Sequence, residues 1–327
     1  MCTVISYKTK DHYFGRNLDL EYSYEESVTI TPRNYPFRFR KEREFKKHYA
    51  MIGMAYVQDD YPLYYDGTNE KGLSVAALSF PANAYYLEEN IMKYNVAPFE
   101  LIPWILGRCS DVKEARELLE NTNLLQMSFR TDLPSTPLHF MVSDRYETIV
   151  IEPGKDGIRI YENPVKVLTN NPSFPYQMNS LNSYMSLSKK TPMNTFAKEL
   201  PLEVNSRGMG AIGLPGDLSS NSRFVRAAFT KWNSVSGETE AESVNQFFHI
   251  LGSVEQQKGC VQLENKAYEY TIYSSCCNTD QGIYYYKTYE NSRITAVRLF
   301  EADLEGKELV SYPIRREWDV WYVDTKA

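Results

Sequence analysis

A chain of 327 residues that is 43% hydrophobic and 24% charged has ordinary globular composition, and it is long enough to bury a core without disulfide or metal staples. Its formal net charge of −6 argues against binding a nucleic-acid backbone, which needs surplus Lys and Arg to neutralise phosphates. The 26 Tyr and 15 Phe fit either a tyrosine-rich sheet protein or a pocket for an amphipathic ligand, and no run approaches the ~18 apolar residues of a membrane span.

The N-terminus, MCTVISYKTKD, lacks the basic stretch and long apolar run of a signal peptide. Residues Cys2–Tyr7 are short, β-branched and apolar, and predict a strand. Residues Tyr13–Leu18 predict a second strand, joined to the first by a turn around Lys10–Asp11 to make an N-terminal hairpin. Strands follow at Ser27–Thr31, Tyr49–Val57 and Gly72–Ser79, with the basic run Arg38–Lys47 as a solvated hairpin or loop and Asp66–Gly72 supplying turn chemistry.

From Pro98 to Asn121 the pattern becomes helical, with Asp111 as N-cap and Val112, Ala115, Leu118 and Leu119 on one face. Short strands return at Leu138–Ser143, Thr148–Glu152, Gly157–Tyr161 and Val165–Leu168. Helices are expected at Tyr176–Leu187, at Asn221–Trp232 capped by Asn221 or Ser222, and at Glu240–Leu251. Tyr270–Ser275, Gly282–Tyr289 and Ile294–Leu299 close the chain with strands. Blocks of strands and helices, not alternating βαβ units, predict two mostly antiparallel sheets, each covered by helices, in one domain over residues 1–327.

Five cysteines without regular spacing do not form a disulfide framework, which points to a reducing cytoplasm; the adjacent Cys276 and Cys277 read as small buried hydrophobes. The four histidines show no ligand-like spacing, so neither a metal site nor a cofactor is expected. Cys2 stands apart because it follows the initiator Met. Removal of Met1 leaves a thiol and a free α-amino group on one residue, and an amine of pKa about 7.7–8.0 can take the thiol proton without a histidine. Arg16, opposite in the hairpin, would stabilise the thiolate, and Asp19 could hold the new ammonium. Positions three apart face opposite sides of a strand, so both reach Cys2 only if the strand bends, at Gly15 or Asn17; otherwise the two form a surface ion pair.

Several segments carry a family resemblance: MCT at the start, FGRNLDLEYSY at 14–24, PRNYPF at 32–37, DDYPLYYDGTNEKGL at 59–73, VLTNNPSF at 167–174, GLPGDLSSNSRFVRAAF at 213–229 and GIYYYKTYEN at 282–291. In order and spacing, from the first residue to about 300, the chain resembles the choloylglycine hydrolases, the bile salt hydrolases and their penicillin V acylase relatives. The resemblance implies an α+β fold, the four-layer αββα sandwich of N-terminal nucleophile hydrolases. It also implies Cys2 as nucleophile with Met1 removed, Arg16 and Asp19 beside it, Asn170 at the oxyanion, and Arg223 in the charge network. An amide N–H aimed at a developing oxyanion makes physical sense for Asn170, although Asn170–Asn171 before Pro172 also reads as a turn.

Ser79 departs from the pattern, since bile salt hydrolases usually have Asn there and penicillin V acylases often Tyr. Arg207, in NSRGMG, matches a Ser-Arg pair associated with taurine conjugates and is either a sulfonate partner or a flexible loop residue. Loop residues around Tyr22–Tyr24, Asp59–Tyr65 and Phe129–Thr136, including Tyr65 and Phe129, are candidates to line the substrate pocket. The implied substrates are conjugated bile salts, and the implied assembly is a homotetramer. A penicillin V acylase, another N-acyl amidase of this fold, and a non-catalytic bile-acid binder remain as alternatives.

Overall fold

The computed structural model describes residues 1–323. The first half contains strands β1 (Cys2–Lys8), β2 (His12–Leu20), β3 (Ser27–Thr31), β4 (Met51–Gln58), β5 (Tyr61–Asn69), β6 (Ser74–Ser79), β7 (Tyr94–Val96) and β8 (Thr122–Leu124), with helices α1 (Leu101–Leu106) and α2 (Val112–Glu120) before β8. Strands β9 (Leu138–Ser143), β10 (Thr148–Gly154), β11 (Gly157–Glu162) and β12 (Val167–Leu168) lead to α3 (Phe174–Ser180), α4 (Ser220–Asn233) and α5 (Glu240–Gly252). The chain then forms β13 (Val261–Gln262), β14 (Tyr268–Asn278), β15 (Ile283–Thr288), β16 (Thr295–Arg298) and β17 (Val310–Pro313).

One sheet has the order β12-β1-β2-β14-β15-β16, with β13 on β14; the other has the order β11-β10-β9-β6-β5-β4-β3-β17. Every pairing within these two sheets is antiparallel, and the short β7–β8 pair is parallel. One apolar cluster joins the facing sides of the sheets and continues beneath α4 and α5 through Phe224, Val244 and Phe247. A second fills the space between α1, α2 and the far face of the other sheet, around Trp104, Leu106, Val75 and Phe140. The layers therefore run helix, sheet, sheet, helix, the expected αββα sandwich. With both faces of each sheet covered, β2 is buried along nearly its whole length, including Arg16, Asn17 and Asp19.

Local sequence accounts for most boundaries. Asp111 caps α2 by accepting the Glu114 N–H at 2.8 Å, and Thr239 with Glu242 forms a capping box on α5. The cap of α4 is Ser219, not Asn221 or Ser222. Ser219 keeps an extended backbone, so the helix begins earlier; Ser222 instead donates to Asp217, and Asn221 accepts from Ser180. The largest departure is β5, where the expected loop Asp59–Tyr65 and turn Asp66–Gly72 are mostly strand. Pro62 stands near the strand start, where a missing N–H is tolerated, and the turn is confined to the end of the segment. The short strands β7, β8 and β17 carry no clear sequence signal. The charged side chains of Arg38–Lys47 lie largely outward while Phe37 and Phe39 are buried, consistent with a solvated loop anchored by aromatics.

Candidate active site

The hairpin of β1 and β2 sets the geometry. Cys2 pairs with Leu18 and Val4 with Arg16, so Arg16 is the diagonal neighbour of Cys2 on the same face and not its direct partner. Arg16 points between the sheets, where Nη1 donates to the carbonyls of Tyr65 (2.8 Å) and Ala77 (2.6 Å). Asp19 projects from the other face, beneath the helices. The expected bend at Gly15 or Asn17 is absent: β2 runs in regular register along β1, and the irregularity is a bulge in β14 between Thr271 and Tyr273. Gly15 serves close packing, because a Cβ there would lie 2.0 Å from the Ser275 carbonyl oxygen. Nor do Arg16 and Asp19 form a surface ion pair, since both are fully buried with separate partners.

Arg16 and Asp19 thus flank Cys2 from two sides of one strand pair. Burial alone would lower the Arg16 pKa, but the Cys2 sulfur, Tyr273 and Asp66 outweigh it and hold the guanidinium charged. Its Nε and Nη2 are buried without a hydrogen-bond partner. Asp66, on β5, accepts hydroxyl bonds from Tyr273 (2.8 Å) and Tyr284 (2.6 Å). The Asp19 carboxylate accepts from Thr271 at 2.6 Å and from Gln256 at 3.2 Å, and it lies 3.9 Å from Arg223. Burial raises the Asp19 pKa, opposed chiefly by Arg223.

Arg223, near the start of α4, is also fully buried, which lowers its pKa against the pull of Asp19 and Cys2. It donates to the Cys2 carbonyl at 2.6 Å, the Thr3 hydroxyl at 2.7 Å, the Leu218 carbonyl at 3.0 Å and Asn170 Oδ1 at 2.9 Å. Asn170 follows β12, and its Oδ1 also accepts the Cys2 N–H at 2.7 Å. Both partners of Oδ1 can only donate, so the amide orientation is fixed and Nδ2 faces the Ser79 carbonyl at 2.8 Å. An Asn amide has two N–H groups, and the one not used on Ser79 is available to a reacting oxygen.

Around Cys2, Arg16 has Asp66 nearby and Arg223 has Asp19 beside it, and all four charged side chains are almost completely buried. Moving a proton from the thiol to a free Cys2 α-amine would leave this balance unchanged, which suits an internal acid–base pair. With Met1 in place the Cys2 nitrogen is an amide, and the Met1 ammonium bonds the Asp19 carbonyl at 2.9 Å and pairs with Glu269. Asp66, Gln256, Glu269, Thr271, Tyr273 and Tyr284 were not legible as site residues. They come from distant strands and loops, and Asp66 lies in a segment that reads as a turn.

The remaining expected residues divide. Tyr65 contacts Arg16 through its carbonyl, and Ser79 holds Asn170 through its carbonyl. Tyr22 and Tyr24 share a hydroxyl contact of 2.8 Å on the loop after β2. Phe129 packs with Tyr61 and Phe99. Arg207 is exposed and has no ion pair among the described residues. A cleft of about 530 Å³ opens between Arg33, Lys47, His48, Glu70 and Arg108, away from all of these. Chemistry, not cavity volume, locates the site. Among the described residues no His, Cys, Asp or Glu group could hold a metal ion, and no helix is long and apolar enough to cross a membrane.

Residues 2–312 match the family model described as linear amide C-N hydrolases, choloylglycine hydrolase family. The chain is 55% identical over 324 residues to the bile salt hydrolase/transferase of Lactiplantibacillus plantarum, covering 99% of this chain and 100% of that one. It is 35% identical over 329 residues to the bile salt hydrolase/transferase of Clostridium perfringens, covering 99% and 100%. The solved structure of the C2A conjugated bile acid hydrolase from Clostridium perfringens superposes with a TM-score of 0.92 at 34% identity, over 99% of this chain and 100% of that one. A penicillin V acylase from Agrobacterium tumefaciens shares the fold, with a TM-score of 0.76 at 18% identity over 95% and 91% of the two chains.

Proposed function

The chain belongs to the choloylglycine hydrolase family of linear amide C–N hydrolases, and from that premise we propose that it is a bile salt hydrolase with Cys2 as its N-terminal nucleophile. The observation that carries the reading is the constellation at Cys2: the charged Arg16 guanidinium beside the sulfur, with the nitrogen held by an Asn170 amide that Arg223 fixes. That arrangement supports attack on an acyl carbon.

Removal of Met1 frees the Cys2 α-amine, which takes the thiol proton. The thiolate, facing Arg16, attacks the carbonyl carbon of the amide joining a steroid acyl group to glycine or taurine. The free Asn170 N–H stabilises the oxyanion, and Ser79 supports it through the carbonyl that orients Asn170. The Cys2 ammonium returns the proton to the leaving amine nitrogen as the C–N bond breaks, leaving a thioester. The same amine then takes a proton from water, hydroxide attacks the thioester, and the thiolate leaves with the bile acid released. An amine in place of water would receive the acyl group instead, which corresponds to the transferase half of the relatives' name. Asp19 holds Arg223 and acts from beneath the nucleophile. No cofactor enters this sequence.

Tyr22, Tyr24, Tyr65 and Phe129 are the proposed pocket residues, and Arg207 the proposed partner of the taurine sulfonate or glycine carboxylate. We further propose one domain over residues 1–327, a cytoplasmic location and a homotetramer. The segment around Arg207 supports assembly, since Met193, Phe196 and Ile212 leave 71–84% of their surface exposed there.

The test is release of taurine and glycine from taurocholate and glycocholate by purified protein whose mass shows Met1 absent, with Cys2→Ala and penicillin V alongside. Release abolished in Cys2→Ala is the expected result. Turnover of penicillin V alone would move the substrate and make Ser79 the first residue to exchange. No turnover of any of the three would refute the assignment.

A further inference from the structure

Glu26 ends the loop that carries Tyr22 and Tyr24, and its carboxylate is completely buried. One oxygen accepts the Tyr24 N–H at 3.0 Å, and the other accepts the Ser23 hydroxyl. The carboxylate thus ties the tyrosine-bearing part of the loop to its base. Tyr24 in turn lies 5.7 Å from the Tyr56 ring and 4.8 Å from that of Tyr22. A buried carboxylate requires a countercharge. Among the described residues, the only cation within ion-pair distance of Glu26 is Arg316, whose Nη2 lies 3.5 Å from Oε2.

Arg316 belongs to the C-terminal segment beyond β17, an edge strand paired with β3. This segment is fastened at further points. Ile314 N–H meets the Glu26 carbonyl at 3.4 Å, Arg315 N–H donates to the Tyr286 hydroxyl at 3.1 Å, and the Thr288 hydroxyl donates to the Arg315 carbonyl at 3.0 Å. Tyr65, whose carbonyl receives Arg16 Nη1, lies near Glu26 and Tyr24. Burial pushes the Tyr65 hydroxyl well above its ordinary value, and the nearby Glu26 and Tyr24 add to the effect.

We propose that Arg316 is a positioning residue for substrate: the C-terminal segment straps the Tyr22–Tyr24 loop through the Arg316–Glu26 ion pair and so sets affinity for the steroid acyl group, not the chemistry at Cys2. The proposal rests on the bile salt hydrolase reading. Arg316 touches no reacting group, and nothing in the proposed reaction uses it. Its side chain is about a third exposed, so its substitution leaves the sheets and the Cys2 network intact.

The test uses full-length wild type, Arg316→Ala and Arg316→Lys, with steady-state kinetics on taurocholate and the rate of Cys2 alkylation by iodoacetamide. In Arg316→Ala, KM is expected to rise about fivefold, with kcat and the alkylation rate close to wild type. Arg316→Lys, which keeps the charge, is expected to restore most of the affinity. An unchanged KM in Arg316→Ala overturns the proposal. So does a lysine variant that behaves like alanine, or a fall in kcat and alkylation alongside KM. Failure of wild type to release taurine counts against the substrate reading itself and is distinguished because it involves no variant.

Discussion

Replacing Arg223 with methionine keeps a long apolar stem but removes a buried cation and its four hydrogen bonds, to Cys2, Thr3, Leu218 and Asn170. Asp19 then stays buried without its counter-ion. Breaking a buried pair from one side costs about 3–5 kcal/mol, a large share of the 5–15 kcal/mol that holds a typical protein folded. With a urea dependence of about 3 kcal/mol per molar, the unfolding midpoint drops by about 1–1.7 M, measured at fixed protein concentration. Adding Asp19→Asn removes the stranded charge, so the double variant is expected to be more stable than the two single losses would sum to, by about 1–3 kcal/mol. Activity falls as well, because Asn170 loses one of the two donors that fix its amide; kcat is expected to drop about a hundredfold or more. A midpoint within about 0.3 M of wild type, or strict additivity with Asp19→Asn, would refute the view that these residues form one buried network.

Two further predictions concern buried titratable groups, Asp66 near Arg16 and His12 at the far end of the β1–β2 hairpin. Asp66→Asn removes negative charge near Arg16 while the Tyr65 and Ala77 carbonyls keep the guanidinium in place, so the pH profile of Cys2 alkylation is expected to move toward acid. An unmoved profile would mean that Asp66, whose pKa burial raises, is already neutral. His12 is held neutral down to about pH 3, by burial first and then by Lys166, Arg145 and Lys8, whereas in the unfolded chain it takes a proton near 6.5. Between those values the unfolded state binds more protons, so His12 withdraws stability as pH falls. His12→Gln should therefore remove about 2 kcal/mol of acid destabilisation between pH 6.5 and about pH 4.5, read from paired urea titrations. A wild type and variant that lose stability in parallel would contradict this.

The sequence determined a good deal. An N-terminal strand rich in Thr, Val and Ile, an Asp111 cap before a helical run, and blocks of strands separated by helices specify the sheet-and-helix layers, because periodicity and capping are local properties. The position of Cys2 after Met1, with the motifs at Arg16, Asn170 and Arg223, pointed to the site and to its chemistry. Local reasoning failed where a partner strand overruled it. Tyr61–Asn69 carries Pro, Asp and Gly, yet it forms β5 because β4 and β6 pair with it on either side. Asn221 and Ser222 are sound caps in isolation but sit inside α4.

What tertiary structure alone decided is which groups meet. Strand alternation sends Arg16 and Asp19 to opposite faces, so one strand serves the thiol from between the sheets and its charge network from beneath the helices. Asp66, Thr271, Gln256 and Glu269 make their contacts across 207 to 268 positions of chain, and Arg316 reaches Glu26 from the far end of the sequence. Those contacts exist because two sheets stack and bury charge that must be paired, and no spacing along the chain records which distant group supplies the pair.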